Sequence, residues 1–179
     1  MIYFTSDTHF CHSNIIHLSG RPFRNVDEMN RRLIQNWNAY VSEYDEIYIL
    51  GDFAYKGMAS QVNDILSKLK GKKYLVRGNH DGFIDDPVFN PQAFEWIKNY
   101  YVLDYKKQKL VLFHYPILEW QGFFSDSIHL YGHVHNSSKS PEQARRLAVL
   151  GHRAINVGVD VNDYFPISID TILRRVNKG

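Results

Sequence analysis

Short runs of aliphatic and aromatic residues recur along the chain at 2–5, 46–50, 73–77, 110–113, 128–131 and 155–157. Such runs are what strands covered on both faces require, and they predict a buried sheet. Between the runs the period changes. Met29, Leu33, Trp37 and Val41 recur every fourth residue and predict a helix, with Asp27 placed to cap its start. Val62, Ile65, Leu66 and Leu69 follow the i, i+3, i+4, i+7 pattern after Ser60, and Gly71 stands where that helix would stop. Residues 101–105 and 109–113, joined through Lys106-Lys107-Gln108, read as an antiparallel hairpin. Pro166-Ile167-Ser168-Ile169-Asp170 opens a last short helix through Arg175. The least regular stretches are 82–91, 115–127 and 136–153, and long loops in a compact domain tend to be functional or mobile. Alternation of strand and helix early, with hairpins later, predicts an α/β fold: a mixed sheet, or two sheets packed together, with helices outside.

Composition bounds this picture. A chain of 179 residues fits one domain spanning 1–179, and 44% hydrophobic content suffices for a substantial core. The net charge of +2 gives no global field toward nucleic acid or a membrane surface. One cysteine, Cys11, excludes an internal disulfide and any cysteine-based zinc spacing. The start, Met1-Ile2-Tyr3-Phe4-Thr5-Ser6-Asp7, lacks the basic region and apolar core of a signal peptide. No stretch reaches the ~20 apolar residues that span a bilayer. The expectation is a soluble cytoplasmic protein.

The chemistry sits where the apolar runs end. Asp7-Thr8-His9, Gly51-Asp52, Gly78-Asn79-His80-Asp81, His114 and Gly132-His133-Val134-His135 each follow a predicted strand. Ligands of open α/β sheets bind outside the carboxyl ends of strands, so Asp7, His9, Asp52, Asn79, His114, His133 and His135 are expected to share one crevice. Crowded carboxylates and imidazoles need compensation, and oxygen and nitrogen donors in this mix suit divalent Zn, Mn or Fe. Seven donors can hold two ions with about four protein ligands each only if one donor bridges. A carboxylate can do so, and Asp52 is central in the order. Each fragment alone is common; five in sequence are not.

These motifs resemble the calcineurin-like metallophosphoesterases, most closely the small bacterial and phage-type predicted phosphoesterases. The match runs from Met1 to about Val161 and includes the opening Ser6-Asp7-Thr8-His9-Phe10 and Arg21-Pro22-Phe23. The resemblance implies a four-layer α/β/β/α sandwich with a dinuclear site. One divalent ion would be held by Asp7, His9, Asp52 and His135, the other by Asp52, Asn79, His114 and His133. His80 would take the position of the leaving-group acid or transition-state stabiliser. The implied activity is hydrolysis of phosphodiester or phosphomonoester bonds by a metal-bridged hydroxide. The chain departs from the protein phosphatases of that family: Gly51-Asp52 is followed by Phe53-Ala54-Tyr55-Lys56-Gly57, without their second Asp and Arg. That leaves open what orients His80, with Asp81 only its neighbour in sequence.

Other residues are weighed against blander roles. His12 and Asn14 are candidates to line the pocket, and Arg21 to clamp phosphate with its bidentate fork. His17, His129 and His152 match no ligand position and read as structural. Cys11 has nothing beside it to activate a thiolate. Trp120, Phe123 and Phe124 are placed either to stack a nucleobase or, as loop aromatics commonly do, to pack the loop. Arg145, Arg146 and Lys139 are placed to face a phosphorylated substrate or simply to form a solvated surface. Asn156 and Asp160, ending the next strand, are candidate supports for the ligands. The expected substrate is a phosphate ester, with nucleotides included. The alternatives are a nuclease tracking a single strand with that aromatic loop, and a non-catalytic scaffold, which would lack stoichiometric metal.

Overall fold

The computed structural model describes residues 1–55, 59–136 and 140–178. In chain order the first half holds β1 (Ile2–Thr5), α1 (Ser13–Ser19), α2 (Val26–Tyr40), β2 (Glu46–Leu50), α3 (Ala59–Lys68), β3 (Lys72–Val76) and β4 (Trp96–Lys98). The second half holds β5 (Tyr101–Tyr105), β6 (Gln108–Leu112), β7 (Ile128–Tyr131), α4 (Pro141–Ala148), β8 (Ala154–Asn156), β9 (Ile167–Ser168) and α5 (Ile169–Val176). The strands form two sheets, ordered β4-β3-β2-β1-β9 and β5-β6-β7-β8. In the first sheet β1 to β4 are mutually parallel and β9 runs antiparallel beside β1. In the second, β5 and β6 form the antiparallel hairpin, while β6, β7 and β8 are parallel.

Alternation along β2 shows why two sheets are needed. Ile47 and Ile49 point to one side, into a core with Met29, Leu33 and Trp37 of α2 and Val62, Ile65 and Leu66 of α3. Tyr48 and Leu50 point to the other side. There, with Phe4 and Val76, they meet Leu110, Leu112, Ile128 and Leu130 of the second sheet, and Ile169 and Ile172 of α5 close the seam. A strand apolar on both faces is stable only between two such layers. The result is the α/β fold with mixed sheets and flanking helices that the alternation implied. On β7 His129 lies between the core residues Ile128 and Leu130 and so points to the outer face of the second sheet. His129 is packed there under Trp120 from the segment 115–127, with ring centroids 5.2 Å apart. Among the described residues no helix is long and apolar enough to cross a membrane.

Several expectations need correcting. Asn25, not Asp27, caps α2: its side chain accepts from the Glu28 N–H, while Asp27 lies within the first turn beside the positive helix end. Residues 136–153 are not wholly irregular, because α4 lies there with Ser140 as N-cap. α1, β4 and β9 were not anticipated at all, being seven, three and two residues long.

Candidate metal centre

Beyond β1 the chain keeps pace with its neighbours through a few bonds. Ser6 bridges to Gly158, and the Asp7 and His9 N–H groups donate to the Gly51 and Asp52 carbonyls. Here the backbone turns abruptly. Asp7, His9, Asp52, His133 and His135 all have positive φ, between 44° and 70°. Non-glycine residues seldom occupy this left-handed region, and when they cluster there the surrounding contacts must hold them. Those contacts are visible. The Asp81 carboxylate, fully buried, accepts from the backbone N–H groups of Asp52, Phe53, Ala54 and Gly78, tying the turn after β2 to the turn after β3. The His133 N–H donates to both Asp7 oxygens at 3.0 Å, joining the first turn to the one after β7. Glycine is required where these turns touch: a Cβ on Gly132 would lie 2.5 Å from Asp7 Oδ2 and overlap the Ser6 hydroxyl.

Two groups of donors result. Asp7, His9 and His135 offer ligand atoms within 4.8 Å of one another, and so do Asp52, His114 and His133. Asp52 stands between them: its Oδ2 is 3.5 Å from His9 Nε2 and 3.5 Å from His114 Nε2, while its Oδ1 accepts from the His80 N–H. Asn79 joins the second group, with Oδ1 3.0 Å from His114 Nε2. All seven expected donors are therefore brought together.

The donor set fits divalent cations. His9 Nε2 is buried and has no hydrogen-bond partner, a costly state unless its lone pair meets an ion. His114 Nδ1 lies 2.7 Å from the Leu50 carbonyl. In the neutral ring that bond spends the proton on Nδ1 and leaves Nε2 with a lone pair facing Asn79 Oδ1 and Asp52 Oδ2, which are themselves acceptors; only a doubly protonated ring donates to both sides. Lone pairs converging in this way want a cation between them. The electrostatics agree. Burial lowers His9 to about 2, so it stays a neutral ligand. Burial would raise Asp52, but the hydrogen bond and charge of His114, with the His80 N–H and His9, hold it down at about 2. His114 is raised despite burial, by the hydrogen bond and charge of Asp52, the charge of Asp7 and the Leu50 carbonyl.

The supporting residues were only partly anticipated. Asp81 does not orient His80, since its oxygens are spent on backbone. Burial pushes its carboxyl up to about 6, with the Asp52 charge adding to the effect against the backbone donors. His80 instead packs its ring among His9, His12 and Tyr55, with centroids 5.3, 6.3 and 5.5 Å away. His12 does reach the site: it stacks on Tyr55 at 4.0 Å, and its Nδ1 is 3.3 Å from His9 Nδ1. Arg21 does not clamp phosphate. Its guanidinium is buried, and its donors go to both Asp160 oxygens, the Asp7 and Thr8 carbonyls and Met29 Sδ. Asn156 donates to the His135 carbonyl, and Asp160 Oδ2 is 2.7 Å from His135 Nδ1, as supports of that ligand should be.

Beside the donors opens a cleft of about 560 Å³, walled by His12, Asn14, Ile15 and Leu18 on one side and Val134 and Gln143 on the other. Trp120 is buried, bonded through Nε1 to Ser127, though Phe124 is exposed. Arg146 pairs with Glu142 on α4, and Lys139 lies outside the described residues. His129 is buried against the Val111 carbonyl, in keeping with a structural role.

Comparison with known proteins agrees with this geometry. The model of the calcineurin-like phosphoesterase family matches residues 1–166. An uncharacterized protein of Methanocaldococcus jannaschii is 36% identical over 99% of this chain and 92% of its own length. The Gene 66 protein of Mycobacterium phage L5 is 32% identical over 45% of this chain and 39% of its own. Among solved structures, a protein of unknown function from Aquifex aeolicus has a TM-score of 0.73 and 28% identity, covering 99% of this chain and 98% of that one.

Proposed function

The chain belongs to the calcineurin-like phosphoesterase family, and from that premise we propose that it is a metal-dependent hydrolase of phosphate esters working with two divalent ions. In this reading Asp7, His9, Asp52 and His135 hold one ion, and Asp52, Asn79, His114 and His133 hold the other. The observation that carries it is the position of Asp52 Oδ2, equally far from an imidazole nitrogen of each donor group. When bound, the ions would supply Lewis acidity toward phosphate oxygens and activate water, the chemistry two-metal sites contribute to such hydrolyses.

The remaining work falls to the chain. Asp7 and Asp52 bring two negative charges against four from two divalent ions, so the filled site keeps a positive field for anionic phosphate. His80, held through its N–H by Asp52 Oδ1, presents its ring at the cleft and donates a proton to the departing oxygen. His12 and the walls of the cleft receive the group attached to phosphorus. A buried Trp120 and a paired Arg146 leave the substrate class nearer to small esters and nucleotides than to a tracked strand.

The test is a screen of the metal-reconstituted protein against mono- and diester model substrates, cyclic nucleotides, dinucleotides and RNA. Turnover on at least one ester is expected. Asp52→Asn should lose both metal occupancy and activity. His80→Gln should keep both ions and lose about 10²–10⁴-fold in rate. A protein with both ions bound that cleaves no phosphate ester would overturn the proposal.

A further inference from the structure

We infer that Arg21 and Asp160 form a positioning pair that assembles one of the two metal sites, the one built from Asp7, His9 and His135. The inference rests on the dinuclear reading above. Arg21 follows α1, whose end is fixed by Gly20 in the left-handed conformation and by the Arg21 N–H donating to the Ile16 carbonyl. From there its side chain reaches two places distant in sequence. Nη1 and Nη2 donate to the Thr8 and Asp7 carbonyls at 2.9 and 2.6 Å, inside the turn that carries Asp7 and His9. Nε and Nη2 donate to Asp160 Oδ1 and Oδ2, both at 2.9 Å.

Asp160 spends its remaining capacity on His135 Nδ1 at 2.7 Å. That contact fixes the imidazole plane and leaves Nε2 as the nitrogen free for an ion. One guanidinium therefore sets the backbone bearing two ligands and, through Asp160, the ring of the third. The second donor group gains nothing comparable from it. Among the described residues His114 is oriented by the Leu50 carbonyl, and Asp52 by its bond to the His80 N–H.

The chemistry explains the residue types. The Arg21 donors meet four oxygens and a sulfur spread over three chain segments, which a planar fork can do and a lysine ammonium cannot. With Asp160 buried beside it, the pair is a fixed brace rather than a surface contact.

Two full-length variants test this, Arg21→Lys and Asp160→Asn, with Ile172→Ala in the core as a control for general destabilisation. Metal-free protein is titrated with Mn²⁺ by calorimetry, and the coupling of the two ions is followed by EPR. The expected result is loss of affinity for one ion by about 10- to 100-fold, with the other retained and the EPR signature changing from a coupled pair to an isolated ion. The Ile172→Ala control should keep both affinities while melting lower. If Arg21→Lys does not fold, Asp160→Asn carries the same readout. Folded variants that bind both ions as the wild type does, or that weaken both equally, would overturn the inference alone. A wild-type chain that takes up no Mn²⁺ would overturn the proposed function and this inference with it.

Discussion

Gly132 has no room for a side chain: even a methyl group would overlap Ser6 Oγ and crowd Asp7. Gly132→Ala should therefore cost roughly 1–3 kcal/mol of stability by overpacking. It should also weaken metal binding, because Asp7 must move; thermal melts with and without metal would show both effects. His129 allows a cleaner reading. Burial lowers it below its ordinary value, against the pull of two carbonyls: Nδ1 is 3.1 Å from that of Val111, and Nε2 is 3.2 Å from that of Tyr115 with the Ile117 N–H beside it. The unfolded chain takes up this proton near pH 6.5 and the folded chain only further down, so stability should fall as pH drops from about 7 toward 5. One group contributes at most about 1.4 kcal/mol per pH unit. Urea unfolding of metal-free His129→Gln should show a shallower loss over that window than wild type. An equal slope would mean that His129 is not the titrating group. At this scale the convergence of the seven donors was legible, because each follows an apolar run. Asp160 was visible as a ligand support, but the role of Arg21 was not, since its contact with Asp160 across 139 positions leaves no periodic mark.

Elements were legible in proportion to how much of one face they bury. α2 and α3 repeat apolar residues over several turns and were visible from the pattern. α4 has no buried residue and only Leu147 as a large apolar side chain, while α1 spans only two turns with Ile15 and Ile16 adjacent. β9 pairs through just Ile167 and Ser168, too short for alternation to declare itself. The capping of α2 is a sharper case, because Asn25 and Asp27 both satisfy the composition rule and only geometry separates them. Asn25→Ala should cost about 1 kcal/mol, and Asp27→Ala a few tenths through the helix dipole. Comparing the two by chemical denaturation would decide which residue caps.

For the whole molecule, the proposed centre, once filled, would act as a cross-brace between the two sheets. Ions that bind only the folded chain should stabilise it by about 2.7 kcal/mol for each site at a hundredfold excess over Kd. A chelator should accordingly lower the melting temperature, and added Mn²⁺ should restore it in a concentration-dependent way. No change on chelation would show that the ions are absent or bind the unfolded chain equally well.

The bond between the His133 N–H and Asp7, spanning 126 positions, also sets a timetable for synthesis. Asp7 and His9 leave the ribosome well before His133, His135 and Asp160, because 126 positions separate His133 from Asp7. Contacts so remote in sequence carry a loop-closure cost and slow folding. The turn at Asp7 must therefore wait for its partner until residue 133 has been made. On the proposed reading, metal loading would follow the arrival of residue 133, and ribosome-stalled chains ending before it should fail to retain an ion that the released protein holds.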